Sequence, residues 1–229
     1  MSVDIFEFWS PREIGPNDRV HPKDQDVFNR MDPNHKFELN CLPYCFFGPL
    51  RSAKIVLLYL SPGFDEFDVK EAESPKGRER MVESRSGNLE LPNQEEHKGT
   101  WRWWRSHTKD FGECDELRSK IAVLNIGAYH SKKGPNGQIL ASLPSSRVSL
   151  EWAQKVLFPQ AIKGDKVVIC LRSAKFWGFD AGKEGNRYGE SLYAPQVTRG
   201  GHMKKGNMRD EIIKKVKDSI SLRAAQSSM

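Results

Sequence analysis

The sequence predicts an α/β protein: a three-layer α/β/α sandwich around a central, mainly parallel, four-stranded sheet. Three observations carry that expectation. Apolar runs rich in Val, Ile and Leu recur at 55–60, 121–124 and 167–171. They lack the in–out alternation of a half-wet strand, so they read as strands buried on both faces. Segments with helical spacing separate them, the pattern of parallel strands joined by crossovers. The 229 residues are also 38% hydrophobic and 29% charged, enough apolar matter for a full core and unlike a disordered chain.

Taken in order, residues 1–38 read as a polar, Pro-punctuated extension with one short helix at 24–30, set between Pro22 and Asp32-Pro33. The core is expected from about 40 to 222. Residues 39–50, LNCLPYCFFGPL, are apolar but broken by Pro43, Gly48 and Pro49, which suits a loop lining the interior. The organising stretch is KIVLLYLSPGFDEF, 54–67, where six of the seven residues from Ile55 to Ser61 are apolar or aromatic. That strand must end in a sharp turn at Ser61-Pro62-Gly63, because Pro removes a ladder donor and Gly permits positive φ. It is either a core strand with a tight turn or a ligand-holding strand end.

From 69 to 99 the composition turns to charge, Ser, Gly and Pro, with an exposed helix expected at 77–84 and a loop after it. TWRWWRSHTKDF follows. Helical spacing puts Trp101, Trp104 and His107 on one face and Arg102 and Arg105 on another. This suits a helix sealing the core, and equally the aromatic–basic mixture of a nucleic-acid groove. The second strand lies in 120–131 and reaches Asn125, an amide that is either satisfied internally or reserved for a ligand. A turn at 134–137 leads to an amphipathic helix at 149–158, with Val148, Trp152, Val156 and Leu157 as its stripe. The third strand spans 165–172 and is followed by a short helix ended by Gly178 or Gly182. The fourth lies at 191–197 before the basic loop TRGGHMKKGN. A basic amphipathic helix at 208–222 turns Ile212, Ile213, Val216 and Ile220 inward, and a frayed tail follows from 221.

Without linker or repeat, one domain covering 1–229 is expected, as a monomer. No apolar run reaches membrane-spanning length, and the acidic start MSVDIFEFWSPRE lacks a leader pattern, so the expected address is cytoplasmic. Cys41, Cys45, Cys114 and Cys170 form neither a disulfide framework nor a compact ligand set, so no metal or other cofactor is expected. The net charge of +6 is compatible with a polyanionic partner and equally with none. In a parallel sheet the working residues gather at the carboxyl ends of strands, which here collects 61–67, 125–130 and 195–202.

Those residues, in that order, resemble the uracil-DNA glycosylase superfamily. LSPGF at 60–64 is similar to its first motif, VLN at 123–125 to its Leu-Leu-Leu-Asn strand, and APQVTRGGHM at 194–203 more loosely to its late His-bearing loop. The likeness covers roughly 40 to 205. It implies hydrolysis of the N-glycosidic bond of a flipped-out uracil in single- or double-stranded DNA, leaving an abasic site. Such a site must stabilise an anionic leaving base and a cationic sugar and place a water under the anomeric carbon.

Carried over by position, Asn125 reads the uracil edge, Phe64 or Phe67 stacks on the base, and Gly63 walls the pocket. Either Phe serves equally as core packing. The 198–202 loop meets the minor groove; Arg199 fills the vacated space or simply faces solvent, and Thr198, Lys204 and Ser173 are further nucleic-acid contacts. Ser173, like Ser145 and Ser146, also suits a helix cap. Two positions depart from the family pattern. Ser61 stands where an Asp or Asn positions water; a hydroxyl orients water but is no base near neutrality, which turns attention to Asp65, Glu66 or Asp68. Gln196 stands where a His follows Ala-Pro, leaving His202 or the Gln amide to donate to uracil O2. A non-catalytic member of the fold that recognises damaged or abasic DNA is the alternative these departures favour. An enzyme of this fold acting on another base or on free nucleosides is a third.

Overall fold

The computed structural model describes residues 4–32, 34–135 and 137–221 and is a mixed α/β structure built on one six-stranded sheet. Its strands are β1 (Phe46–Phe47), β2 (Ile55–Tyr59), β3 (Ile121–Asn125), β4 (Val167–Cys170), β5 (Asn186–Tyr188) and β6 (Leu192–Ala194), in the order β1-β3-β2-β4-β6-β5. The inner four are parallel; β1 and β5 run antiparallel at the two edges. The expected four strands are therefore present, and the count of four is corrected to six. Each added edge strand has only two or three residues. β1 lies inside the expected 39–50 loop, and β5 forms a hairpin with β6 across Gly189, whose φ of +64° favours glycine.

The helices among the described residues are α1 (Ile5–Phe8), α2 (Pro22–Arg30), α3 (Glu66–Glu73), α4 (Pro75–Ser84), α5 (Lys98–Thr108), α6 (Cys114–Leu117), α7 (Gly137–Ser142), α8 (Pro144–Trp152), α9 (Phe158–Lys163) and α10 (Asn207–Ser221). The expected tail beyond 221 lies outside the described residues, as do Pro33 and Asn136 of the 134–137 turn. No helix is long and apolar enough to cross a membrane, among the described residues.

The sheet is buried on both faces, as its uniform apolar strands require. Val56, Leu58, Leu124, Val168 and Cys170 join one core with Phe6, Trp152 and Ala161. Ile55, Leu57, Tyr59, Ile121, Val123 and Ile169 join the other with Trp104 of α5 and Ile212 and Val216 of α10. Ile213 and Ile220 pack at that core's margin, only partly buried.

Two further corrections concern packing. The polar extension expected at 1–38 is a core component: Ile5, Phe6, Phe8, Trp9 and Ile14 are buried, and Phe6 meets Phe46 and Trp152 edge-on at 5.4 and 5.7 Å. The Asp24 carboxylate ties it down further, accepting from the Tyr129 hydroxyl at 2.5 Å and from the Ser145 amide at 3.0 Å. The stripe through Val148, Trp152 and Leu157 is buried, but Val156 is 37% exposed. Pro159 lacks the N–H needed to continue the α ladder, and the chain passes through a π turn, Ala153–Leu157, with Phe158 donating to the Ala153 carbonyl. The wider turn rotates Val156 outward.

Candidate functional site

Parallel register sets the site's frame. Tyr59 and Asn125 are paired neighbours at the ends of β2 and β3, so they share one level and one face of the sheet. The loops that follow are laced together. The Ile126 amide donates to Tyr59 at 3.2 Å, Gly127 to Leu60 at 2.8 Å and Ser131 to Pro62 at 3.3 Å, and the Ser61 and Ser131 hydroxyls are 3.5 Å apart.

Asn125 is 1% exposed and donates one amide hydrogen to the Tyr44 carbonyl at 3.1 Å, so its amide is partly satisfied within the fold. Gly63 is exposed, keeps an ordinary φ and has open space where a Cβ would stand, so neither strain nor crowding requires glycine there. Phe64 is half-buried with the Lys132 ammonium 4.4 Å over its ring. Phe67 faces solvent instead: it is 54% exposed on α3.

The group that sequence reasoning undervalued is His130. It is 3% exposed, and its Nδ1 faces two acceptors, the Gly63 carbonyl at 2.6 Å and Asp68 Oδ2 at 3.2 Å. Nδ1 therefore carries the proton. Nε2 is buried with no partner among the described residues. A buried polar atom left unpaired costs about 1–3 kcal/mol and calls for a reason. Its position at a strand end was visible in the sequence; its partners, on a different loop, were not.

Asp65, expected as a water-handling acid, serves in the fold as a helix cap. Its Oδ1 accepts from the Phe67 amide at 3.0 Å while Asp68 Oδ2 accepts from the Asp65 amide at 2.7 Å, a reciprocal box that starts α3. Behind it, Asp68, Glu71 and His97 bring ligand atoms within 4.8 Å of one another, and Glu71 pairs with His97 at 3.0 Å. No cysteine joins that group; the four thiols are free, with Cys41, Cys45 and Cys170 pushed up to about 12 by burial.

The late loop folds on itself. Thr198 and His202 exchange bonds at 2.8 and 3.2 Å, Lys204 donates to Gln196 at 2.9 Å, and the Arg172 guanidinium donates to the Arg199 carbonyl. Gly201, at φ +83°, lies so close to Tyr59 and Arg172 that a Cβ would sit 3.3 and 3.4 Å from them. The Gln196 amide, expected as a donor to uracil O2, donates within the fold to the Gly182 and Ala181 carbonyls. His202 is exposed and stacks on His107 at 4.1 Å. Desolvation, then His107 and Lys109, hold its pKa below the ordinary value, so it is neutral at pH 7. His107 in turn meets Tyr59, with ring centroids 5.9 Å apart. Thr198 and Arg199 are exposed at the loop tip and Lys204 is exposed beyond it. Ser173 makes no cap bond and adopts φ 57°, a strained left-handed conformation for a non-glycine residue. Ser145 and Ser146 are likewise buried and not caps, since Leu143 precedes α8.

On α5 Trp104 and Thr108 are fully buried; Trp101, Trp103 and His107 are half-buried, and Lys98, Arg102 and Arg105 are exposed. Trp103 meets Tyr59 edge-on at 5.0 Å. No protein-family model, curated protein or solved structure matches this chain.

Proposed function

We propose that this chain is a monofunctional DNA glycosylase of uracil-DNA glycosylase type, a three-layer sandwich whose four parallel strands carry the site at their carboxyl ends. The observation that supports this most is the lacing of the LSPG turn to the loop after VLN. It sets Ser61, Asn125 and His130 together at one end of two adjacent parallel strands.

In this reading the free half of the Asn125 amide reads the uracil edge and Phe64 stacks on the flipped base. His130 fills the vacancy that Ser61 leaves. With Nδ1 protonated, Nε2 is a lone pair free to take a proton from the attacking water, which the Ser61 hydroxyl orients. Asp68 then stabilises the imidazolium. The departing base leaves as an anion, so hydrogen bonds to it strengthen in the transition state.

The test is base release from uracil-containing single- and double-stranded oligonucleotides, read as alkali-labile abasic sites. Expected is cleavage that falls about 100-fold or more in Asn125→Ala and in His130→Gln, with DNA affinity retained. No cleavage at low salt, or an Asn125→Ala variant equal to the parent, overturns the reading. The committed Gln196 amide favours a second reading, a member that binds damaged or abasic DNA without turnover. Tight, salt-dependent binding with no base release selects it.

A further inference from the structure

We propose that the groove between the start of α3 and α5 is a track for single-stranded DNA, holding the nucleotide beside the one in the glycosylase site. Its position rests on the glycosylase reading above; its chemistry does not. The groove has a volume of about 370 Å³, at the lower end of small-ligand clefts and suited to one nucleotide, and is lined by Asp65, Phe67, Lys98, Gly99, Arg102 and Trp103.

Three features fit this occupant. The first is a pair of aromatic side chains that reach the groove, Phe67 with no core partner and Trp103 from the margin of the core. Phe67 is the most exposed large apolar side chain among the described residues, at 54%, and Trp103 faces the same groove half-buried. Flat π faces beside solvent are what successive unstacked bases use, and every base has one. The second is charge. Lys98 and Arg102, four residues apart, share one face of α5 and line the wall. Lys70 stands 5.3 Å over the Phe67 ring and Arg105 4.9 Å over Trp101. The one acid in the lining, Asp65, is committed to capping α3. Phosphates are thus met by cations on both sides of the aromatic pair.

The third is continuity with the strand ends. Trp103 touches Tyr59, the β2 partner of Asn125, and one turn along α5, about 6 Å, His107 stacks on His202 of the late loop. Ring contacts therefore lead from Trp103 through His107 to His202 of the late loop. Duplex bases are already stacked on each other and cannot offer their faces to Phe67 and Trp103. The groove consequently selects single strands, and an acidic peptide would match its charge but not its aromatic walls.

The test uses a uracil-free, fluorescein-labelled oligothymidylate of about twelve nucleotides, the same length of duplex, and polyglutamate as competitor, read by anisotropy. Expected is tighter binding of the single strand than of the duplex. Phe67→Ala should weaken the single strand about tenfold with less than about twofold change for the duplex, and Phe67→Trp should restore it. The double change Lys98→Glu/Arg102→Glu should weaken binding and flatten its salt dependence. Equal affinity of Phe67→Ala and parent, equal preference for duplex, or displacement by polyglutamate as efficient as by unlabelled oligothymidylate overturns the proposal. Because the probe holds no uracil, failure of base release alone leaves this result intact, and base release with an unaltered Phe67→Ala affinity overturns the track alone.

Discussion

Two histidines, His21 buried and His97 half-buried, respond to pH with opposite sign. Burial alone would pull His97 down, but the hydrogen bond and charge of Glu71, with Asp68 behind them, outweigh it and hold its pKa above the ordinary value. Its folded state thus binds the proton more tightly than the unfolded one. The stability it contributes is full below about pH 6.5 and is lost as pH rises through the raised value. His21 is the reverse. Burial lowers its pKa, its Nε2 lies 2.8 Å from the Phe8 carbonyl, and its Nδ1 accepts from the Lys23 amide at 3.1 Å, so the neutral ring is fully used. Its contribution is present above about pH 6.5 and lost as pH falls through the lowered value. Melting temperatures between pH 5 and 8 should show a maximum near neutrality. His97→Gln should remove the loss on the alkaline side and leave the acid side in place; an unchanged alkaline limb would mean that the Glu71–His97 pair contributes nothing.

At the scale of elements, α3 is held at its start by the Asp65–Asp68 box, and this separates a capping role from a chemical one. Asp65→Ala is expected to cost about 1 kcal/mol of unfolding free energy in a denaturant titration. Base release should fall by less than about tenfold, whereas a hundredfold loss would return Asp65 to the chemistry. The same helix shows where the sequence was hard to read. β2, β3 and β4 were legible because burial on both faces forces uninterrupted apolar residues. α3 was not, because it buries only Ala72 and so carries almost no apolar stripe; its signal was the Asp-x-x-Asp spacing alone. β1 and β5, at two and three residues, are too short for a pattern to form. The site divides in the same way. Asn125 and Ser61 were legible as strand-end residues, while the pairing of His130 with Asp68 and of Gln196 with Gly182 depends on loops that only the folded topology brings together.

For the whole molecule, the N-terminal segment is the decisive structural element that composition concealed, since its acidic and Pro residues mask a set of inward aromatics. Loss of a buried Phe or Trp side chain costs about 3–5 kcal/mol, against a total stability of roughly 5–15 kcal/mol. Deleting residues 1–20 removes Phe6, Phe8 and Trp9 together with Ile5 and Ile14. The shortened chain should therefore lack a cooperative unfolding transition and precipitate on expression. A soluble product with a sharp thermal transition would instead make this segment a dispensable extension.

That arrangement also fixes an order of events during synthesis. α1 leaves the ribosome before α8, on which it packs and whose residues follow it by about 140 positions. At elongation rates of about 5–20 residues per second, its apolar face waits roughly 7–28 seconds for a partner. For that interval the nascent chain displays IFEFW to the cytosol or whatever compartment receives it. Asp4 beside that segment and Glu7 within it are then the charges that keep it from associating with its neighbours on the same message.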